Sequence, residues 1–172
     1  MTTEQAFYLL KHFTVVDQIT IGKLIDFGYS TSDINKQLEL VGSKFFSSFC
    51  QSPCDLEARI STGRLIHRIE QSNGRIARVY EFDEIIGTEQ IINLSSIDSS
   101  SIFTLERNGM NIHSISLKEL PTTNKLVMVS SETEKWITAF PGNYAPAFPS
   151  TWMSIEEHAY ATEFWENHVF VV

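Results

Sequence analysis

The chain has 172 residues and a mass of 19.6 kDa, enough for one ordinary domain or a domain with a small helical extension. Hydrophobic residues make up 42% and charged ones 20%, which supplies a core, and no run of 18 apolar residues exists to form a helical membrane span. The formal net charge of −8 counts against nucleic-acid binders as a class, because these usually carry a basic balance.

The charge is unevenly distributed. All 13 Lys and Arg precede Trp136, whereas the segment from Trp136 to Val172 carries four Glu and no cation. A basic surface is therefore still available to the middle of the chain. The opening "MTTEQAFYLLKHF" has neither a basic n-region nor a small-residue cleavage site. The expected site of action is the cytoplasm, with any export following a route that needs no N-terminal signal.

Residues 1–60 read as a helical segment. "TEQAFYLLKHF" places Ala6, Leu9, Leu10 and Phe13 at helical spacing. "TIGKLIDFGYSTSDINKQLELVG" gives two helical runs around Gly28, the second capped by Ser30 or Ser32 and closed near Gly42. Geometrically this is a helix–turn–helix hairpin. Its second run offers Lys36 against Asp33 and Glu39 and no Arg, too few cations for a DNA backbone, so helical packing is its expected role. Cys50 and Cys54 in "CQSPC" match neither redox nor zinc spacing and read as structural or incidental thiols.

From Gly63 the period changes to alternation. "GRLIHRIEQSNGRIARVYEFDEIIG" holds two short runs around Asn73-Gly74, and "SIFTLERNGMNIHSISL" repeats the device around Asn108-Gly109. "KLVMVSS" and "KWITAF" follow. These make five or six strands of an antiparallel β-meander between about residues 63 and 140. "SIEEHAYATEFWENHVFVV" then supplies a closing helix from Ser154, with Glu157 completing a capping box, and a short apolar tail. The fold class is α+β, N-terminal helices followed by the meander and a C-terminal helix, with residues 61–172 forming the sheet domain and the whole packed as one unit.

The stretch "KWITAFPGNYAPAFPS" stands out, because three prolines and a glycine stop a strand more rigidly than a turn requires. Such rigidity is useful where a hydroxyl at the strand end must be held still, and Thr138 is that hydroxyl. Most strand threonines, however, serve only as good β-formers.

Taken in order, "IIGTEQIINL", "ERNGMNIHSISLKELPTTNKLVMVSS" and "KWITAFPGNYAPAFP" resemble the C-terminal ribonuclease domains of bacterial polymorphic and contact-dependent inhibition toxins, within the barnase-like superfamily. Those domains carry a Gly-Thr-Asp-like turn, an Arg-x-Gly hairpin and a terminal Ile-Thr-Ala-Tyr/Phe-Pro strand. The resemblance spans residues 63 to 149 and implies metal-independent endoribonuclease activity by 2′-hydroxyl attack. No cofactor and no metal is implied, and the partners would be an RNA substrate and a cognate immunity protein, with no membrane. It matches Thr138 to the terminal threonine and Arg107 to the arginine of the hairpin.

Proton transfer at neutral pH suits histidine, and a phosphate suits arginine. His67 and His113 are therefore the candidate proton carriers beside Arg107 and Thr138, with Arg64, Arg68, Arg75 and Lys118 as candidate substrate-binding cations. Arg64, Arg68, Arg75, Arg78 and Arg107 are expected on strands of one sheet, forming a basic patch. His158 and His168 share no face for metal ligation. The alternative is a non-catalytic interaction module, an immunity or adaptor protein, which the acidic balance, the aromatic ending and the incomplete catalytic set favour.

Overall fold

The computed structural model describes all 172 residues. Helix α1, Thr3–Leu9, begins in a capping box: the Thr2 hydroxyl accepts from the Gln5 amide while the Gln5 side chain accepts from Thr2 N–H. One 3₁₀ turn, Leu10–His12, follows and delivers His12 to the edge of the sheet region. Helices α2, Gln18–Phe27, and α3, Thr31–Leu38, form the expected hairpin, capped by Asp17 and Ser30. Leu24 and Ile34 lock the hairpin to Phe7 and Leu10 of the first helical turns. The second helix stops at Leu38, short of Gly42.

Residues between α3 and α4 (Leu56–Ile60) depart from the helical expectation. Phe45 makes isolated β-bridges to Phe13 and Gly87, its N–H donating to the His12 carbonyl at 2.7 Å, and Phe46 N–H donates to the Ile86 carbonyl at 2.8 Å. The bridge buries Phe45 and the turn after it, closed by Cys50 N–H on the Phe46 carbonyl at 3.1 Å, buries Phe49; the gain from two buried aromatics outweighs local helix preference.

Ten strands follow: β1 Arg64–Glu70, β2 Arg75–Glu81, β3 Gly87–Thr88, β4 Ile91–Asn93, β5 Phe103–Arg107, β6 Met110–Ile115, β7 Thr122–Thr123, β8 Lys125–Ser131, β9 Thr138–Pro141 and β10 His168–Val171, with α5, Ile155–Glu166, preceding the last. The architecture is α+β: N-terminal helices, an antiparallel sheet and a C-terminal helix. The strands do not form a single meander. The first sheet, ordered β1-β2-β8-β9, is antiparallel throughout, the second is ordered β4-β10-β6-β5, and β3 pairs with β7 in a ribbon. The apolar tail after α5 is itself a strand, antiparallel to β4 and parallel to β6.

Both Asn-Gly sites are hairpin turns, with different geometry. Asn108 and Gly109 both have positive φ, 52° and 78°, as a two-residue type I′ turn requires. At the first hairpin only Gly74 does, at 80°, and its N–H closes the turn on the Gln71 carbonyl at 3.1 Å.

The main core lies between the helices and the inner face of the first sheet. It joins Leu9, Phe13, Phe45, Phe49, Leu56 and Ile60 to Leu126, Met128, Trp136 and Ala139. The outer face of that sheet, Ala77, Val79 and Val127, is covered by Phe140 and Tyr144. The proline-rich segment after β9 is the strap between the two sheets. Pro146 accepts the Trp165 indole N–H at 3.2 Å, Phe148 packs on Trp165 at 4.7 Å, and the Tyr144 hydroxyl accepts from Gln71 at 3.2 Å. Ser154 caps α5, but Glu157 does not return to it; its carboxylate accepts from the Ser72 N–H and hydroxyl, tying the helix to the first hairpin.

Candidate active site

The residues expected to form one catalytic cluster are distributed over separate places. Thr138 starts β9, at one edge of the first sheet, whereas His67 lies on β1 at the other edge. Three strand spacings separate them, roughly 14 Å. His67 is also exposed: a bulge between Leu65 and His67 interrupts the alternation that would place it with Leu65 and Ile69 on one face. It lines a different cavity with Tyr144, Tyr160 and His168. His113 and Arg107 lie on the second sheet, His113 opposite Thr104 and Arg107 opposite Met110. Lys118 is not on that strand, which ends at Ile115, but exposed in the loop beyond it.

The expected basic patch is likewise not formed. Arg107 is on the other sheet, Arg64 pairs with Glu81, and Arg68 pairs with Glu70 at 2.6 Å. Arg75 is exposed at the start of β2, and Arg78 donates to the Ser130 hydroxyl at 2.9 Å. Cross-strand and neighbouring carboxylates quench two of the cations, because the alternation that aligns arginines on a strand also aligns glutamates.

Thr138 instead faces a cavity of about 270 Å³ at the junction of the helical segment, β9 and the start of β4. Lys11, His12, Ser43, Glu89, Gln90 and Phe140 share its wall. Two of the quoted motifs meet here. Gly87 of "IIGTEQ" passes so close to the strand end that an added Cβ would overlap the Lys44 carbonyl oxygen and come within 3.0 Å of the Pro141 Cβ. Gly142 follows with a φ of 129°, a backbone turn that favours glycine. Pro141 closes β9 opposite Leu126 and beside Gly87, and the neighbouring Thr88 Oγ1 accepts from Lys44 N–H at 3.0 Å.

His12 sits in this wall with a defined tautomer. Its Nδ1 lies 3.0 Å from the Ser43 carbonyl, which can only accept, so Nδ1 carries the proton and Nε2 is the basic nitrogen. Burial lowers its pKa to about 4, reinforced by the charges of Lys11 and Lys44 against the opposing pull of the Ser43 hydrogen bond. Glu89 is shifted the other way: burial raises its pKa, partly offset by Lys125. A neutral imidazole and a carboxyl biased toward its protonated form thus share a cavity with a hydroxyl and an ammonium group. Opposed shifts of this kind are how acid and base roles are divided between neighbouring groups. No cluster of three or more His, Cys, Asp or Glu side chains is placed to hold a metal ion.

Neither of these two shifted groups was a candidate from the sequence. His12 ends a helix in "LLKHF" and carries no local signal; only the bridge from Phe45 brings Ser43 to its ring. Glu89 did have one, since it occupies the acidic position of the Gly-Thr-Asp-like turn in "IIGTEQ".

The His12 shift makes stability depend on pH. Because its folded pKa lies below the unfolded value of 6.5, folding is undisturbed by this group above pH 6.5 and is weakened as pH falls from 6.5 toward 4, by about 3 kcal/mol in all. Glu89 has the opposite sign: its raised folded pKa favours folding at low pH, and that contribution is lost as pH rises from 4.5 through the folded value. Urea unfolding at a series of pH values should therefore show His12→Gln losing less stability than the wild type between pH 6.5 and 4. Parallel profiles would rule out the depressed imidazole.

No protein-family model matches this chain, and neither the curated proteins nor the solved structures offer a significant match.

Proposed function

We propose that the His12–Glu89–Thr138 cavity is the centre of a metal-independent endoribonuclease of the bacterial toxin type, with the proton carriers on the helical segment and the β3–β4 turn and not on the sheet histidines. The observation that carries this reading is the pairing of a neutral, tautomer-fixed imidazole with a carboxyl of raised pKa beside Lys11, in a protein that is otherwise strongly acidic. Lys44 and Lys125 lie near the same two groups, so this is a local concentration of cations suited to a phosphodiester.

The opposed shifts assign the two groups opposite roles. His12 Nε2 accepts the ribose 2′-hydroxyl proton as O2′ attacks phosphorus. The Lys11 ammonium and the Thr138 hydroxyl donate to the non-bridging oxygens of the phosphorane. The P–O5′ bond breaks as the Glu89 carboxyl gives its proton to O5′, leaving a 2′,3′-cyclic phosphate and a free 5′-hydroxyl. In a toxin of this type a cognate immunity protein would cover this cleft.

Incubation of the purified chain with a mixed-sequence RNA in excess EDTA tests the reading. The expected products carry 2′,3′-cyclic phosphate ends. RNA left intact across pH 4 to 8 would sink the ribonuclease reading and leave the second one, a non-catalytic interaction module. That alternative is favoured by the ion-paired arginines of β1 and by an exposed apolar surface on α2, where Ile19, Ile25 and Phe27 face solvent. No helix is long and apolar enough to cross a membrane.

A further inference from the structure

We infer that a second cavity, between α4 and the inner face of the first sheet, binds a small organic anion, an acidic group carried on a flat apolar body. The cavity measures about 610 Å³, within the range of small-molecule sites, and shares no residue with the His12 cleft. It forms because α4 ends at Ile60 while β1, β2 and β8 continue beyond it, so the sheet's inner face loses its helical cover. The uncovered floor is mixed. Ile60, Leu65, Met128 and Trp136 supply apolar wall, and Arg78, Tyr80, Ser130 and Lys135 supply polar groups.

The unsatisfied polar groups here are donors. Trp136 is 2% exposed, yet its indole N–H has no hydrogen-bond partner in the protein, an uncommon state for a buried tryptophan. Arg78 is half-buried, forms no ion pair and spends one N–H on the Ser130 hydroxyl, leaving most of its planar fork unused. The two carboxylates at the rim do not answer it: Glu57 is bound to Lys135, and Glu132 is exposed on the turn after β8. A half-buried guanidinium above an apolar floor matches a carboxylate or phosphate attached to an aromatic or aliphatic ring, and the Trp136 ring in the cavity wall reports its arrival while its N–H stays covered.

Titration of the ¹⁵N-labelled full chain with 2-naphthoate, and separately with the neutral 2-naphthalenemethanol, tests this by the indole N–H resonances. The chain has three tryptophans, and Trp136→Phe identifies the relevant signal. Trp165 is an internal control because its N–H is already held by Pro146. Naphthoate is expected to shift the Trp136 signal saturably and to bind at least about tenfold more tightly than the alcohol, one charge-assisted hydrogen bond's worth of discrimination. Arg78→Gln should reduce naphthoate to the level of the alcohol. Absence of a saturable Trp136 shift at millimolar naphthoate, or equal affinity for acid and alcohol, would overturn the proposal; the wild-type comparison decides even if Arg78→Gln fails to fold. RNA cleavage plays no part in either outcome.

Discussion

Replacing Phe45 with alanine is expected to lower stability by about 3–5 kcal/mol, as for other large aromatic truncations in a close-packed core. Phe45 is fully buried, with Phe13 at 5.3 Å and Phe49 at 5.7 Å between ring centres. Its backbone bridges Phe13 on one side and Gly87 on the other, so it stands where the helical segment meets the sheet. For a chain of this length the loss corresponds to a fall in Tm of roughly 6–20 °C. Because the main core mixes residues from both segments, helical circular dichroism and Trp136 fluorescence should fall in one coincident transition at the lower temperature. Two separated transitions, with the sheet signal unmoved by the substitution, would show that the helices form an independent unit.

The same junction explains what could and could not be read from the chain. The capped helices and the two Asn-Gly hairpins were legible because their signals are local: Ser30, Ser154, Asn73-Gly74 and Asn108-Gly109 each act within four residues. Alternation also located β1, β2, β5, β6, β8 and β9. It could not assign them to sheets, since that depends on β8 returning to β2 and on the tail entering beside β6, pairings with no sequence mark. The site failed for a related reason. His67, His113 and Arg107 were grouped by residue type and family order, whereas proximity is set by sheet order and by one bulge at the start of β1. Thr138 was placed at a strand end beside a rigid proline, and it does line a cavity with titratable groups. Of its titratable neighbours, Lys11 and His12 came from the helical segment, the part of the chain that the resemblance does not cover, whereas Glu89 lay within it.

His12→Ala is expected to cut RNA cleavage by about 10²–10⁴-fold, the usual worth of a positioned proton acceptor. The hydrogen bond from Nδ1 to Ser43 leaves Nε2 free to take a proton, and burial keeps the imidazole neutral at neutral pH. Glu89→Gln should cost a similar factor, since the amide fills the same volume but has no acidic proton for O5′. Thr138→Ala should be milder, removing one donor to the phosphorane while Lys11 remains. The pH dependence separates these roles from mere structural support. In the free protein, kcat/KM should fall below about pH 4 as His12 gains its proton and fall again at higher pH as Glu89 loses its own. Glu89→Gln should abolish the basic limb and leave the acidic one, a change that loss of packing alone would not produce. Wild-type activity at the His67→Ala and His113→Ala substitutions would complete the assignment. A His12→Ala enzyme that folds and cleaves normally would return the search to the sheet histidines.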